Sequence, residues 1–191
     1  MYGMVNNAIR SYVTEQHDPQ LWARICERAG MDSGEFAATM PYDDAVSLRL
    51  LEQSAAAMQL SLDELLRQIG KYWVQFAARS SFGPLIQFGG THFEEFLGNL
   101  DAMHSKIQAS LPQLAPPSFL VEPTSDGTLV VSYHSVRDGL FPFVEGLFLG
   151  LSEHFAQPVE ILGFECLGPG EARWVLRVGD RNVDGALDPA A

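Results

Sequence analysis

Three prolines divide the chain into two parts with different sequence patterns. Pro112 and the pair Pro116–Pro117 end any helix that reaches them, because proline has no backbone N–H and favours extended backbone at the residue before it. Apolar residues recur at helical spacing before these prolines, and short strand-like segments follow them. Helices followed by strands are typical of an α+β fold. We therefore predict a helical N-terminal two thirds and an antiparallel C-terminal sheet of about four strands with one inserted helix.

Local start signals support the helical part. Asp18–Pro19 places a capping aspartate before a proline at the first helical position. Ser61–Glu64 and Thr91–Glu94 both match the capping box, in which the two residues hydrogen-bond to each other's backbone. The helix that starts at the second box is predicted to carry one apolar face, formed by Phe93, Leu97, Leu100, His104, Ile107 and Leu111.

Four segments after the prolines have the composition of strands. They are SFLVEP (118–123), TLVVSYHSVR (128–137), VEILGFECLG (159–168) and ARWVLRVG (172–179). The stretch 139–155 between the second and the third, GLFPFVEGLFLGLSEHF, has the 3.6-residue period of a helix. One domain is therefore predicted over residues 1–180, with a flexible tail at 181–191.

The composition narrows the class of protein. With 191 residues, 47% of them hydrophobic and 19% charged, the chain is long enough for one domain with a substantial core. A net charge of −12 argues against nucleic acid or an anionic membrane as a partner, since like charges repel. No apolar run approaches the ~20 residues of a membrane helix, and no signal peptide opens the sequence. We expect a cytoplasmic protein.

Cysteine usage and short motifs exclude several kinds of site. Cys26 and Cys166 form no C-x-x-C motif, so we expect neither a disulfide nor a thiolate metal site, and a reducing compartment is favoured. The sequence contains no H-E-x-x-H, G-x-S-x-G, G-x-x-x-x-G-K or G-x-G-x-x-G. We therefore expect no enzymatic activity.

Three hydrogen-bond donors follow one another on one face of the second predicted strand. Tyr133, Ser135 and Arg137 are spaced by two, and side chains two apart point the same way in a strand. From Tyr133 to Arg137 the row would extend over roughly 13 Å, at about 3.3 Å per residue. Such a row suits an elongated ligand with more than one anionic group. The alternative is an exposed strand edge with a surface arginine.

His104 stands in the apolar face of its predicted helix. A histidine in that position is either a core residue that hydrogen-bonds to a nearby carbonyl or a metal ligand, since neutral imidazole is a common ligand. Axial ligation of a haem needs one such residue in a dry pocket. A haem also needs an apolar cleft and donors for its two propionates, and Arg137 can hold a carboxylate through two hydrogen bonds.

Four sequence features together resemble one family. They are the Y-x-S-x-R pattern at Tyr133, Ser135 and Arg137, the segment NLDAMHSKI that contains His104, the proline-containing segment LPQLAPPSF and the opening MYGMVNNAI. In this order they are similar to the haem nitric oxide/oxygen binding (H-NOX) family, which includes the haem domain of soluble guanylate cyclase. The resemblance covers about residues 1–180.

The resemblance implies a haem b held between the helices and the sheet. It divides the domain into a distal helical part, about residues 1–60, and a proximal part, about residues 61–180. His104 would bind the haem iron, and the Y-x-S-x-R side chains would hold the propionates. Pro117 would press on the porphyrin and distort it, and Met1 would also contact the cofactor.

The resemblance also bears on which gas is bound. Family members that bind O2 carry a distal tyrosine in the helix after the Y-x-S-x-R strand, where this chain has Pro142 and Phe143. Val5 and Leu147 would complete an apolar distal wall. We therefore predict a sensor that binds nitric oxide, and also CO, and discriminates against O2. The open alternative is Trp73, whose indole N–H could donate to bound O2 or could pack within its helix.

By the same resemblance, NO would break the bond between the iron and His104 and so release the helix that carries it. The signal would pass to a separate partner protein, such as a histidine kinase or a diguanylate cyclase. A different class of function is a haem-free binding module for small molecules, with Arg137 as the anchor of a carboxylate.

Overall fold

The computed structural model of the protein describes residues 1–31, 34–81 and 83–181. Its helices are α1 (Gly3–Gln16), α2 (Pro19–Arg28), α3 (Asp44–Met58), α4 (Leu62–Arg79), α5 (Gly83–Gly89), α6 (Phe93–Ser110) and α7 (Phe141–Phe155). Its strands are β1 (Ser118–Pro123), β2 (Thr128–His134), β3 (Val159–Gly168) and β4 (Glu171–Val178). Of the predicted flexible tail at 181–191, residues 182–191 lie outside the described residues. No helix within the described ranges has both the length and the apolarity that crossing a membrane requires.

The four strands form one antiparallel sheet in the order β1-β2-β4-β3, with α7 inserted between β2 and β3. The predicted α+β architecture is therefore confirmed. One face of the sheet is buried and apolar because alternate residues of the central strands are apolar. Its central side chains are Leu129, Val131 and Tyr133 on β2 and Ala172, Trp174 and Leu176 on β4.

Strand β2 ends at His134, so the prediction that this strand reaches residue 137 is wrong. The N–H of Ser135 still donates to the carbonyl oxygen of Gly170 at 2.9 Å. Beyond that bond, the N–H of Arg137 donates to Oγ of Ser135 at 3.0 Å. A serine side chain that accepts from the backbone two residues later favours a turn. Ser135 and Arg137 therefore lie after the strand and not in it.

Two of the three predicted helix starts are confirmed. The side chain of Asp18 accepts from the N–H of Gln20 at 2.9 Å, and Ser61 and Glu64 form the complete capping box. The third prediction is wrong, because α6 begins at Phe93 and its N-cap residue makes no side-chain cap.

A side chain from a distant part of the chain caps α6 instead. The N–H of Phe93 donates to Oε1 of Gln157 at 2.8 Å. The N–H of Thr91 donates to Oε2 of Glu95 at 2.8 Å. Glu95 lies one residue beyond the predicted partner, Glu94. The start of α6 is therefore fixed to the segment that connects α7 with β3.

Buried apolar side chains form two clusters. One is built from α1, α2, α3 and the first part of α4, and the other from the end of α4, α6, α7 and the sheet. Helix α4 contributes to both, with Leu65 in the first and Val74 in the second. An apolar cavity lies where the two clusters meet.

Candidate functional site

The cavity has a volume of about 280 Å³. Helices α1, α4, α6 and α7 supply most of its wall, and the proline-containing segment 114–117, here called the joint, closes one side. Polar side chains are few among its lining residues, and His104 and Arg137 are two of them. A mostly apolar concave site with a small number of placed polar groups is typical of a cofactor or ligand pocket.

The imidazole of His104 lines the cavity from α6. Its Nδ1 lies 3.0 Å from the carbonyl oxygen of Pro117, so Nδ1 carries the proton and donates it to that carbonyl. Burial lowers the pKa of His104, and the hydrogen bond to Pro117 opposes this in part. The ring is therefore neutral near pH 7, and its Nε2 has no hydrogen-bond partner within the described residues. A neutral ring with one nitrogen on a carbonyl and the other free has the arrangement of a metal-ligating histidine.

Arg137 lies at the edge of the cavity and is already bound to two groups of the chain. Its Nε donates to Oδ2 of Asp44 at 2.7 Å, and its Nη1 donates to the carbonyl oxygen of Ala115 at 2.8 Å. Asp44 is 93 positions away in sequence, in the first turn of α3. The guanidinium therefore connects the end of β2 with the joint and with a distal helix.

The amino group of Met1 meets the same carboxylate. It donates to Oδ1 of Asp44 and, at 2.7 Å, to the carbonyl oxygen of Tyr42. Burial raises the pKa of Asp44, but the hydrogen bonds and charges of Met1 and Arg137 outweigh it and leave that pKa below its ordinary value. The carboxylate is therefore ionised near neutral pH and shared between two cations. No local pattern in the sequence signals Asp44 as part of the site.

Tyr133 and Ser135 are both buried but do not line the cavity. The ring of Tyr133 packs among other aromatic rings, those of Phe119, Phe141 and Trp174. Burial raises the pKa of Tyr133, while a hydrogen bond from Ser135 and the charge of Arg137 lower it. Of the three donors in the Y-x-S-x-R pattern, Arg137 is the one that reaches the cavity wall.

Most of the predicted distal residues line the cavity. Val5 comes from α1, Trp73 from α4, and Phe143 and Leu147 from α7. Pro142 belongs to the first turn of α7 and is not part of the lining. The rings of Trp73 and Phe143 meet edge to face, with centroids 6.0 Å apart. The indole N–H of Trp73 has no acceptor among the residues the structure describes.

These residues fit a haem. The cavity is apolar, as the ring of a haem requires, and His104 offers a free nitrogen to a metal. Arg137 has two N–H groups left for an anion, because the guanidinium has five and three take part in the bonds to Asp44 and Ala115. Met1 and Pro117 also line the cavity.

The sequence matches the model of one protein family, Haem-NO-binding, over residues 2–162. Two relatives are soluble guanylate cyclases of Caenorhabditis elegans. The cyclase gcy-31 is 27% identical over 168 residues, and gcy-35 is 29% identical over 150 residues. The alignments cover 86% and 77% of this chain but 24% and 22% of those proteins. The chain thus spans about a quarter of the length of these relatives.

The fold is similar to that of solved H-NOX proteins. A mutant of an H-NOX protein from S. oneidensis, in the Fe(II) ligation state, has a TM-score of 0.86 at 16% identity, with 96% of this chain and 98% of that chain covered. An oxygen-binding H-NOX domain related to soluble guanylate cyclases has a TM-score of 0.76 at 18% identity, covering 95% and 96% of the two chains. These likenesses concern the fold. Together with the family match over most of its length, they show that the chain belongs to the Haem-NO-binding family.

Proposed function

We propose that this protein is a haem-based sensor of nitric oxide. The observation that carries the proposal is the state of His104, a neutral imidazole in an apolar cavity with Nδ1 bound to Pro117 and Nε2 without a partner in the described ranges. In this proposal the cavity would hold haem b, and Nε2 of His104 would bind its iron. Arg137 holds a propionate, supported by Ser135 and Tyr133, while Met1 and Pro117 contact the ring.

The contacts of the chain itself suggest how the signal travels. Bound haem would supply an iron centre for the gas, and Nε2 of His104 would hold that iron. Through its other ring nitrogen, His104 is attached to the joint by the carbonyl of Pro117. The joint in turn is bound to Arg137 through Ala115, and Arg137 to Asp44 on α3. A shift of α6 is therefore coupled to the distal helices.

We further propose that the protein binds NO and CO but discriminates against O2. Bound O2 carries partial negative charge and is stabilised by a nearby donor, whereas NO and CO depend on such a donor much less. The side chains that α1 and α7 contribute to the distal wall are apolar: Val5, Phe143 and Leu147. The alternative to this proposal is Trp73, which brings to the same wall an indole N–H with no acceptor in the described part of the chain.

The absorption spectrum of the purified, reduced protein tests these proposals. We expect a Soret band that moves on addition of NO and of CO and does not move in air. A protein that stays colourless after addition of haemin would refute the haem proposal and favour a haem-free binding module at Arg137. A band that moves reversibly in air would refute the proposed discrimination against O2 but not the proposal that the protein binds haem.

We propose that the output is an interaction with a separate signalling protein, a histidine kinase or a diguanylate cyclase, and that the domain has no catalytic role of its own. The family supports a signalling role, since the relatives above are guanylate cyclases in which the matched region is about a quarter of the chain. Copurification from native cells, with kinase and cyclase assays in the presence and absence of NO, tests this. If NO changes neither the kinase activity nor the cyclase activity, the proposed choice of partner is wrong.

A further inference from the structure

Helices α4 and α7 approach each other so closely that glycine is required at three positions. A Cβ atom added to Gly70 would lie 2.1 Å from the carbonyl oxygen of Phe143. One added to Gly146 would lie 2.1 Å from the carbonyl oxygen of Arg67, and one added to Gly150 would lie 2.6 Å from that of Lys71. Each glycine therefore faces the backbone of the opposite helix, and a backbone cannot give way as a flexible side chain can.

The same crossing borders the distal side of the cavity. Gly70 touches the backbone of Phe143, and Trp73 follows one turn later on α4. Gly146 directly precedes Leu147 on α7. Trp73, Phe143 and Leu147 all line the cavity, and the rings of Trp73 and Phe143 are in edge-to-face contact. The separation of the two helices therefore sets how far apart these wall residues stand.

Charged side chains at the crossing do not fix that separation. Arg67 pairs with Glu145 at 2.8 Å, and Lys71 pairs with Glu153 at 2.6 Å. Three of these four side chains are well exposed, and exposed ion pairs contribute little to stability because water and salt screen them. Long, flexible side chains also tolerate a small change in spacing that two backbones in contact cannot.

We infer that the glycine contacts between α4 and α7 set the width of the distal side of the cavity. Gly70, Gly146 and Gly150 are then positioning residues for gas binding, an inference that rests on the proposed function. A methyl group at Gly146 must move from 2.1 Å to beyond the 3.0 Å below which Cβ contacts are essentially never found. The two helices must separate to make that room, and Trp73 and Phe143 separate with them.

The test is Gly146→Ala in protein labelled with 5-fluorotryptophan. The chain has three tryptophans, Trp22, Trp73 and Trp174, and single Trp→Phe variants assign their ¹⁹F resonances. We expect Gly146→Ala to shift the resonance of Trp73 and leave that of Trp22 unchanged, since Trp22 lies on α2 in the other cluster. We also expect CO to associate with the reduced protein several-fold faster.

The matched control is Gly98→Ala on α6, where an added Cβ meets no atom within 4 Å. It should change neither the Trp73 resonance nor the CO rate. If Gly146→Ala does not fold, the same measurements are made on Gly150→Ala. The added Cβ there lies 2.6 Å from the opposite carbonyl oxygen instead of 2.1 Å, so the substitution is milder. A Trp73 resonance at the wild-type position, or a shifted resonance with an unchanged CO rate, overturns the inference. The resonance is read with or without haem, so a failure to bind haem is distinguished from a failure of this inference.

Discussion

The two ring nitrogens of His104 have different surroundings, and this difference defines the candidate site at the scale of single residues. Nδ1 is fixed by the carbonyl of Pro117, which sets the tautomer and the ring orientation. Nε2 is unprotonated, and its lone pair lies beside an apolar cavity. Imidazole binds metals through such a nitrogen. A core histidine with both nitrogens satisfied would not leave a nitrogen available in this way.

His104→Gly should remove the proposed iron ligand and leave a hole of the size of an imidazole. We expect the variant to hold haem only when imidazole is added, because free imidazole can occupy the hole and bind the iron. The measurement is the Soret absorbance after gel filtration with and without imidazole. His134→Gly is the matched control, since His134 is exposed and pairs with Glu171 on the sheet. Equal haem retention by both variants would show that His104 is not the ligand.

Trp73→Phe tests the indole at the distal wall. If the apolar wall excludes O2, this variant should resemble the wild type in air and in NO, because an aromatic ring remains while a donor that is not used is lost. The measurement is the visible spectrum of the reduced protein under each gas. Trp22→Phe, buried on α2 away from the cavity, is the control. The contrary result is a wild type that binds O2 and loses this binding in Trp73→Phe but not in Trp22→Phe. That result would show that the indole N–H of Trp73 donates a hydrogen bond to bound O2.

At the scale of elements, α6 depends on a cap that its own sequence does not supply. Oε1 of Gln157 accepts from the buried N–H of Phe93, 64 positions earlier in the chain. The bond joins the start of the helix that carries His104 to the segment between α7 and β3. Helices α2 and α4, in contrast, are capped by residues directly before them, which is why their starts could be predicted.

Gln157→Leu should lower the free energy of unfolding by about 1–3 kcal/mol, the cost of a buried N–H left without an acceptor. Urea unfolding followed by circular dichroism measures it. Gln20→Leu is the control, because the side chain of Gln20 is exposed on α2, and such changes stay within about 0.5 kcal/mol. Equal losses in the two variants would mean that the cap of α6 contributes nothing.

At the scale of the whole molecule, a carboxylate joins helix α3 to the segments that follow β2 and α6. Asp44 on α3 is bound by Arg137, which is also bound to the joint that follows α6. The pKa of Asp44 is lowered in the folded protein, despite burial, by the bonds from Met1 and Arg137. Its contribution to stability is therefore complete above the unfolded pKa of about 3.9 and is lost as the pH falls through the folded pKa.

Asp44→Asn should reduce stability near pH 7 by less than about 1 kcal/mol, because the carboxylate is partly exposed and its ion pair is screened. The difference from the wild type should shrink as the pH falls below about 4, where the aspartate becomes protonated. Urea unfolding at a series of pH values measures it. Glu52→Gln, an exposed change on the same helix, should matter little at pH 7. A difference that grows towards low pH would contradict the assignment.

Features that depend on neighbours in the chain could be predicted from the amino-acid sequence. The α+β order, the caps at Asp18 and Ser61, and the apolar face that includes His104 follow from local spacing, because backbone periodicity and capping act within a few residues. Tertiary structure decided the rest. The partner of Arg137, the cap of α6, the end of β2 and the glycine crossing of α4 and α7 all join residues far apart in sequence. Which distant groups meet is set by how the layers pack, and no local pattern encodes that.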